Sequence, residues 1–256
     1  MEWEWGGDCG GMSQSPIELP ERRLLEKRVE GELDFHYYNP TTPPAQLINN
    51  GNFLEIKFTK DVGYVTWRDK KYHLKRIEFH SIEWGRGHSV EFYPAKLGLE
   101  THDMEMEMIH MASGGEMIAL SVLCDRLRHG SVPWFESLVE DFTRLYRLEQ
   151  NLSFTNIDMK FPPNMFEFTN EYNFDTPSWT MFWDYDGSLT SPPCTEGVHR
   201  FINGCECLLS PDFGKVLDKF QTMKGNARSL QPIRVGIRKF ITILPFGSLP
   251  RLMRVY

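Results

Sequence analysis

Polar and apolar residues alternate along two stretches, Lys75-Arg76-Ile77-Glu78-Phe79-His80 and Met104-Glu105-Met106-Glu107-Met108-Ile109-His110. Alternation sends successive side chains to opposite faces of an extended chain, so each stretch predicts a strand. Glu78 and His80 then share one face of the first, and Glu105 and Glu107 one face of the second. Met104, Met106 and Met108 fall on the reverse face and read as core. Residues 32–38 alternate likewise as a strand, and residues 54–58, 64–67 and 72–80 predict a meander of strands leading to the site. Residues 117–124 form an apolar run of strand length, as expected of a central strand buried on both faces. Ser131 and Pro133 open a helix expected to run through Glu149, with Trp134, Leu138, Phe142 and Leu145 on one stripe. Ser210-Pro211 opens a second, shorter helix carrying Phe213, Leu217 and Phe220. Residues 40–44 and the aromatic-rich 161–185 read as loop, and no internal repeat is visible.

If the two polar strand faces lie side by side, three carboxylates and an imidazole meet in one place. An unpaired buried carboxylate costs on the order of several kcal/mol, so such a cluster must be compensated. Two compensations are open from the residues alone. Arg76, Arg200 or shared protons can neutralise the glutamates. Alternatively the carboxylates and the imidazole can hold a divalent ion that accepts oxygen donors, such as zinc, manganese or iron(II).

The 256 residues suit one large domain, and a net charge of −7 gives no broad basic surface for nucleic acid. No apolar run is long enough to cross a bilayer, and Met1-Glu2-Trp3-Glu4 carries no signal-peptide core. An intracellular or organellar address, mitochondrial included, is expected ahead of secretion. Five cysteines are too few for a disulfide scaffold. Cys205 and Cys207 read as packing residues, because no second pair at zinc-finger spacing follows. Asn151-Leu152-Ser153 is a formal glycosylation triplet, and His88 and His110 read as hydrogen-bonded core histidines. Phosphate-binding glycine loops and nucleophile elbows are missing from the sequence.

Four motifs in order carry a family resemblance. They are the Gly11-x-x-Gln14-Ser15-Pro16-Ile17-x-Leu19 segment, the Asn49-Asn50-Gly51-Asn52 turn, the run Tyr185-Asp186-Gly187-Ser188-Leu189-Thr190-Ser191-Pro192-Pro193-Cys194, and Asn226-x-Arg228 with Gln231-Pro232. Together with the two polar strands they resemble the alpha-carbonic anhydrases over roughly residues 5–240. The resemblance implies a mainly β (α+β) single domain: a large, twisted, mostly antiparallel central sheet with short peripheral helices. Residues 241–256, apolar and broken by two prolines, lie beyond it as a C-terminal extension. Glu78 and His80 fall on the family's first two zinc histidines, Glu107 on the third, and Glu105 on the carboxylate that orients it. Thr190 falls on the gatekeeper threonine, Asn52 on the proton-shuttle histidine, Gly87 on an orienting carboxylate and Arg200 on a cavity tryptophan. Cys9 and Cys194 match the single disulfide of secreted members, with reduced cysteines in a cytosolic protein as the alternative.

Zinc held by three neutral imidazoles lowers the pKa of its bound water to about 7. Two glutamates in their place would cancel the ion's charge, and an amide at position 52 cannot relay protons. The sequence therefore predicts a catalytically silent relative without zinc, acting as a structural or interaction subunit of a larger protein assembly. The competing reading is a metalloenzyme with an altered Glu/His/Glu site.

Overall fold

The computed structural model describes residues 6–20, 28–30, 33–36, 45–49, 53–81, 89–91, 99–126, 133–147, 153–155, 179–203, 207–221 and 228–243. In chain order these form β1 (Glu18–Leu19), β2 (Arg28–Glu30), β3 (Asp34–His36), β4 (Ala45–Asn49), β5 (Leu54–Phe58), β6 (Tyr64–Trp67) and β7 (Lys70–Ser81). There follow β8 (Ser89–Glu91), β9 (Leu99–Thr101), β10 (Met104–Met111), β11 (Met117–Arg126), α1 (Pro133–Arg147) and β12 (Ser153–Thr155). The last elements are β13 (Trp179–Ser188), β14 (Glu196–Asn203), β15 (Cys207–Leu209), α2 (Pro211–Gln221) and β16 (Arg238–Ile243).

One large sheet dominates, in the order β12-β4-β5-β7-β10-β11-β14-β13-β16-β2, with β3 and β6 branching from β7 and β15 beside β11. Most neighbours run antiparallel; β11 is parallel to both β14 and β15, and β16 to β2. β1, β8 and β9 form a small separate sheet. The fold is thus mainly β, a large curled mixed sheet with two short helices among the described residues. β16 carries the sheet to Ile243, into the stretch read from sequence as an extension. Residues 244–256 lie outside the described residues, as do Asn52, Gly87, His88, Asn151, Cys205 and residues 161–178.

The sheet separates two kinds of interior. On one face Phe79, Met104, Met106, Met108, Leu120 and Val122 pack beneath the helices. α1 lays Phe135, Leu138, Phe142 and Leu145 on that face, all at most 1% exposed. Phe135 adds to the stripe expected from the sequence, and the Trp134 side chain lies outside the described residues. Phe142 meets Phe79 edge-on at 5.3 Å, and Phe135 meets Phe213 of α2 at 5.0 Å. α2 starts where Ser210 Oγ accepts the Phe213 N–H at 3.0 Å, with Pro211 supplying the fixed φ of a first helical residue. β6 and β7 join through Arg68 and Asp69, both at positive φ, the two-residue turn whose twist matches the strands it connects. The opposite face of the sheet, where β7, β10, β11 and β14 pass side by side, carries the polar cluster.

Candidate metal centre

The register between β7 and β10 sets His80 opposite Glu105 and Glu78 opposite Glu107. The four side chains predicted to meet do meet, each 4% exposed or less. Next to β10, β11 contributes Ser121 opposite Glu107. β14 brings Arg200 opposite Ala119, on the same face of the sheet. Thr190 and Ser191 enter from the turn after β13.

Ion pairs dominate this cluster. Arg76 donates from Nε to Glu78 Oε1 at 2.5 Å. The other oxygen of Glu78 lies 3.2 Å from His80 Nε2 and accepts the Ser191 hydroxyl at 3.4 Å. Across the cleft, Arg200 donates from Nη2 to Glu107 Oε1 at 2.5 Å, and more distantly to Glu105 Oε1 at 3.4 Å and Ser121 Oγ at 3.2 Å. Its other terminal nitrogen donates to the Ser188 carbonyl at 2.8 Å. Thr190 donates its hydroxyl to Glu107 Oε1 at 2.9 Å and lies 3.4 Å from His80 Nε2. Thr190, set by the resemblance at the gatekeeper position, thus bonds to Glu107, which the same resemblance sets at the third ligand position.

The electrostatics follow from these contacts. Burial would push the Glu78 carboxyl up, but the His80 hydrogen bond and the Arg76 guanidinium outweigh it and hold it at about 2. Burial works equally against a charged His80, yet its bond to Glu78 and the charges of Glu107, Glu78 and Glu105 raise its pKa. Burial likewise opposes the charge on Arg200, and the surrounding Glu107, Tyr185 and Glu105 raise its pKa above the ordinary guanidinium value. Two guanidiniums therefore lie against the carboxylates of the cluster, beside an imidazole whose charged form those carboxylates favour.

The donor atoms of Glu78, His80 and Glu107 lie within 4.8 Å of one another, a grouping able to hold an ion. Glu107 Oε2 is buried with no hydrogen-bond partner among the described residues. The residues do not fit the zinc–hydroxide centre that the family fold implies. That centre needs three neutral donors converging at about 2.0–2.1 Å. Here His80 Nε2 is engaged with Glu78, and both carboxylates already carry a guanidinium.

Several contributors escaped the sequence reading. Ser191 and Ser121 belong to the cluster, and Ser121 left a trace as the one polar residue in the apolar run of β11. Tyr185 OH and Ser15 Oγ lie 2.9 Å apart, and Ser15 Oγ accepts the Ser188 N–H at 3.1 Å, bracing the strand end that supports Arg200. A Cβ on Gly187 would collide with the Ser15 hydroxyl, the Tyr185 ring and the Arg200 stem, which explains a glycine there. Gln14 and Arg228, from the first and last motifs, bond to each other at 2.8 Å. Cys9 and Cys194 are disulfide-bonded, fastening the turn after β13 to the N-terminal segment. His110 is fully buried with Nδ1 3.1 Å from the Met108 carbonyl. On the reverse face His199 stacks on Trp67 at 4.2 Å between Asp184 and Asp186. Arg238 pairs with Asp184 through two 2.9 Å bonds. The alternating Trp183-Asp184-Tyr185-Asp186 of β13 was the only sign of that second cluster.

The family model for eukaryotic-type carbonic anhydrase matches residues 1–239. Dioscorin dioA3 of Dioscorea japonica is 29% identical over 234 residues, covering 90% of this chain and 75% of that protein. Alpha carbonic anhydrase 3 of Arabidopsis thaliana is 29% identical over 195 residues, covering 74% of this chain and 60% of that protein. Among solved structures, a dioscorin complexed with ascorbate superposes with a TM-score of 0.71 at 24% identity, over 96% of this chain and 91% of that one. The alpha-carbonic anhydrase of Thermovibrio ammonificans, in complex with sulfanilamide, gives 0.67 at 21% identity, over 91% and 89%.

Proposed function

The chain belongs to the eukaryotic-type carbonic anhydrase family, and from that premise we propose that it is a catalytically silent member serving as a structural or interaction subunit of a larger protein assembly. One observation carries the silent half of this reading. Arg200, fully buried, sets its guanidinium on the carboxylate at the third ligand position. A guanidinium keeps its proton throughout the physiological range, so this positive charge is permanent. A dication entering beside it would meet repulsion from Arg200 and a cluster whose carboxylates are already neutralised. Arg76 acts in the same way on Glu78. Asn52 removes the titratable group through which fast hydration passes its proton.

The interaction half rests on the resemblance to family members that lost zinc and became interaction domains, and on the apolar residues of the C-terminal stretch. Zinc is accordingly no part of the protein's working form. Carbon dioxide hydration by the purified full chain at neutral pH should equal the uncatalysed background, with and without added zinc. Activity abolished by a chelator and restored by zinc would defeat the proposal.

A second reading has its own observation. The unpartnered Glu107 Oε2, beside Glu78 and His80 in one grouping of donor atoms, favours an oxygen-tolerant divalent ion such as manganese or iron(II). Saturable binding of manganese that is lost in Glu107→Gln would support it and displace the silent reading.

A further inference from the structure

β11 ends beside a short parallel neighbour, β15, and the residues aligned across that pair are Cys124 with Cys207, Asp125 with Leu208 and Arg126 with Leu209. Cys124 is fully buried and disulfide-bonded. Cys9 and Cys194 are bonded to each other, so its partner comes from Cys205 and Cys207, the two cysteines that remain of five. Strands in a sheet run about 4.8 Å apart, inside the span of roughly 4.4–6.8 Å between Cα atoms that a disulfide bridges. Aligned residues of neighbouring strands also share a face of the pleat, so their Cα–Cβ bonds start out in the same direction. Cys207 satisfies both conditions. Cys205 lies two residues earlier, before β15 begins.

We propose that Cys124 and Cys207 form a second disulfide, and that Cys205 is the protein's one free thiol. Its formation removes two protons and two electrons from the two thiols and passes them to a disulfide oxidant, such as oxidised glutathione, which leaves as two thiols. The bridge joins two elements that the sequence separates widely. β15 leads directly through Ser210 into α2, whose Phe213, Val216 and Leu217 pack into the core under the sheet. Arg126, at the end of β11, pairs with Asp218 of the same helix at 2.7 Å. The disulfide fixes the approach to α2 and the ion pair fixes its body, both to the final residues of one strand. The reading of Cys205 and Cys207 as plain packing residues gives way, for Cys207, to a covalent role. Two bridges also place the folded chain in an oxidising compartment, since thiol buffers keep cytosolic cysteines reduced.

The test uses the full chain, equilibrated in a glutathione redox buffer, alkylated without reduction and digested. Glu206 separates the two neighbouring cysteines, so a glutamyl endopeptidase releases them on different peptides. Mass spectrometry should find Cys9 linked to Cys194, Cys124 linked to Cys207, and the alkyl label on Cys205 alone. The first pair is the internal control that the sample is oxidised. With that control present, label on Cys124 and Cys207, or a Cys124–Cys205 peptide, overturns the proposal. In a Cys205→Ser variant the same two linked pairs should persist with no labelled cysteine. Label on Cys124 or Cys207 there would equally contradict it.

Discussion

Arg200 is the fully buried one of the two guanidiniums in the cluster, and neither charge can be titrated away. Replacing Arg200 by leucine leaves the buried Glu107 carboxyl without its guanidinium, beside Thr190, His80 and the neighbouring carboxylates. Breaking a buried pair from one side costs about 3–5 kcal/mol, most of it the isolation of the remaining charge. Arg200→Leu should therefore lower the urea midpoint by a corresponding amount, and adding Glu107→Gln should recover much of the loss. A midpoint unchanged by the single substitution would mean that the pair does not hold the cluster together. Two further buried residues contribute to the response to acid. His110 is buried and kept neutral, its pKa pushed down to about 3 by burial against an ordinary value of 6.5. Unfolding below pH 6.5 lets it take up a proton, so its contribution to stability falls as pH drops toward about 3. Glu78 stays ionised in the fold down to about 2 against an ordinary 4.5. Its contribution is complete above pH 4.5 and is lost between there and about 2. Stability measured against pH should thus decline below 6.5, by up to about 1.4 kcal/mol per pH unit for a single proton. His110→Gln should remove that upper slope and leave the steeper fall below 4.5. A His110→Gln curve parallel to the wild type above pH 4.5 would contradict the assignment.

At the scale of elements, alternation was informative wherever a strand keeps one polar face. Alternation put Glu78 with His80 on one face of β7 and Glu105 with Glu107 on one face of β10, and the family resemblance set the two strands side by side, as their register now shows. The pairing of β11 with β14 and β15 could not be read, since parallel neighbours are joined by long connections that leave no local signal. The hydrogen bond from Thr190 to Glu107 was equally invisible, because a turn has no period to fix where its side chains point. The C-terminal stretch remains an element defined by composition. Beyond β16 its sequence is apolar and carries prolines at 245 and 250, residues that disfavour strand and helix interiors. A chain with residues 245–256 deleted should keep its melting temperature and lose its association with partner subunits. A large fall in stability of the isolated domain would show instead that the stretch covers an edge of its own sheet.

The whole molecule keeps the family's sheet and the order of its motifs while changing the charges at its centre. The scaffold was legible because Gln14, Ser15, Tyr185, Gly187, Ser188 and Arg228 lock one another in place, and such a network tolerates few substitutions. The arrangement of the centre was legible only in outline. The sequence showed which groups would meet, and Arg76 and Arg200 as possible counter-charges, but the distances were needed to see each on a particular carboxylate. A cluster whose carboxylates already hold guanidiniums leaves no room for a dication, and zinc stoichiometry distinguishes the two cases. The full chain, equilibrated with excess zinc at neutral pH and freed of loosely held ion, should retain far less than one zinc per chain. A stoichiometry near one, with nitrogen and oxygen ligands at about 2.0–2.2 Å by X-ray absorption, would contradict it.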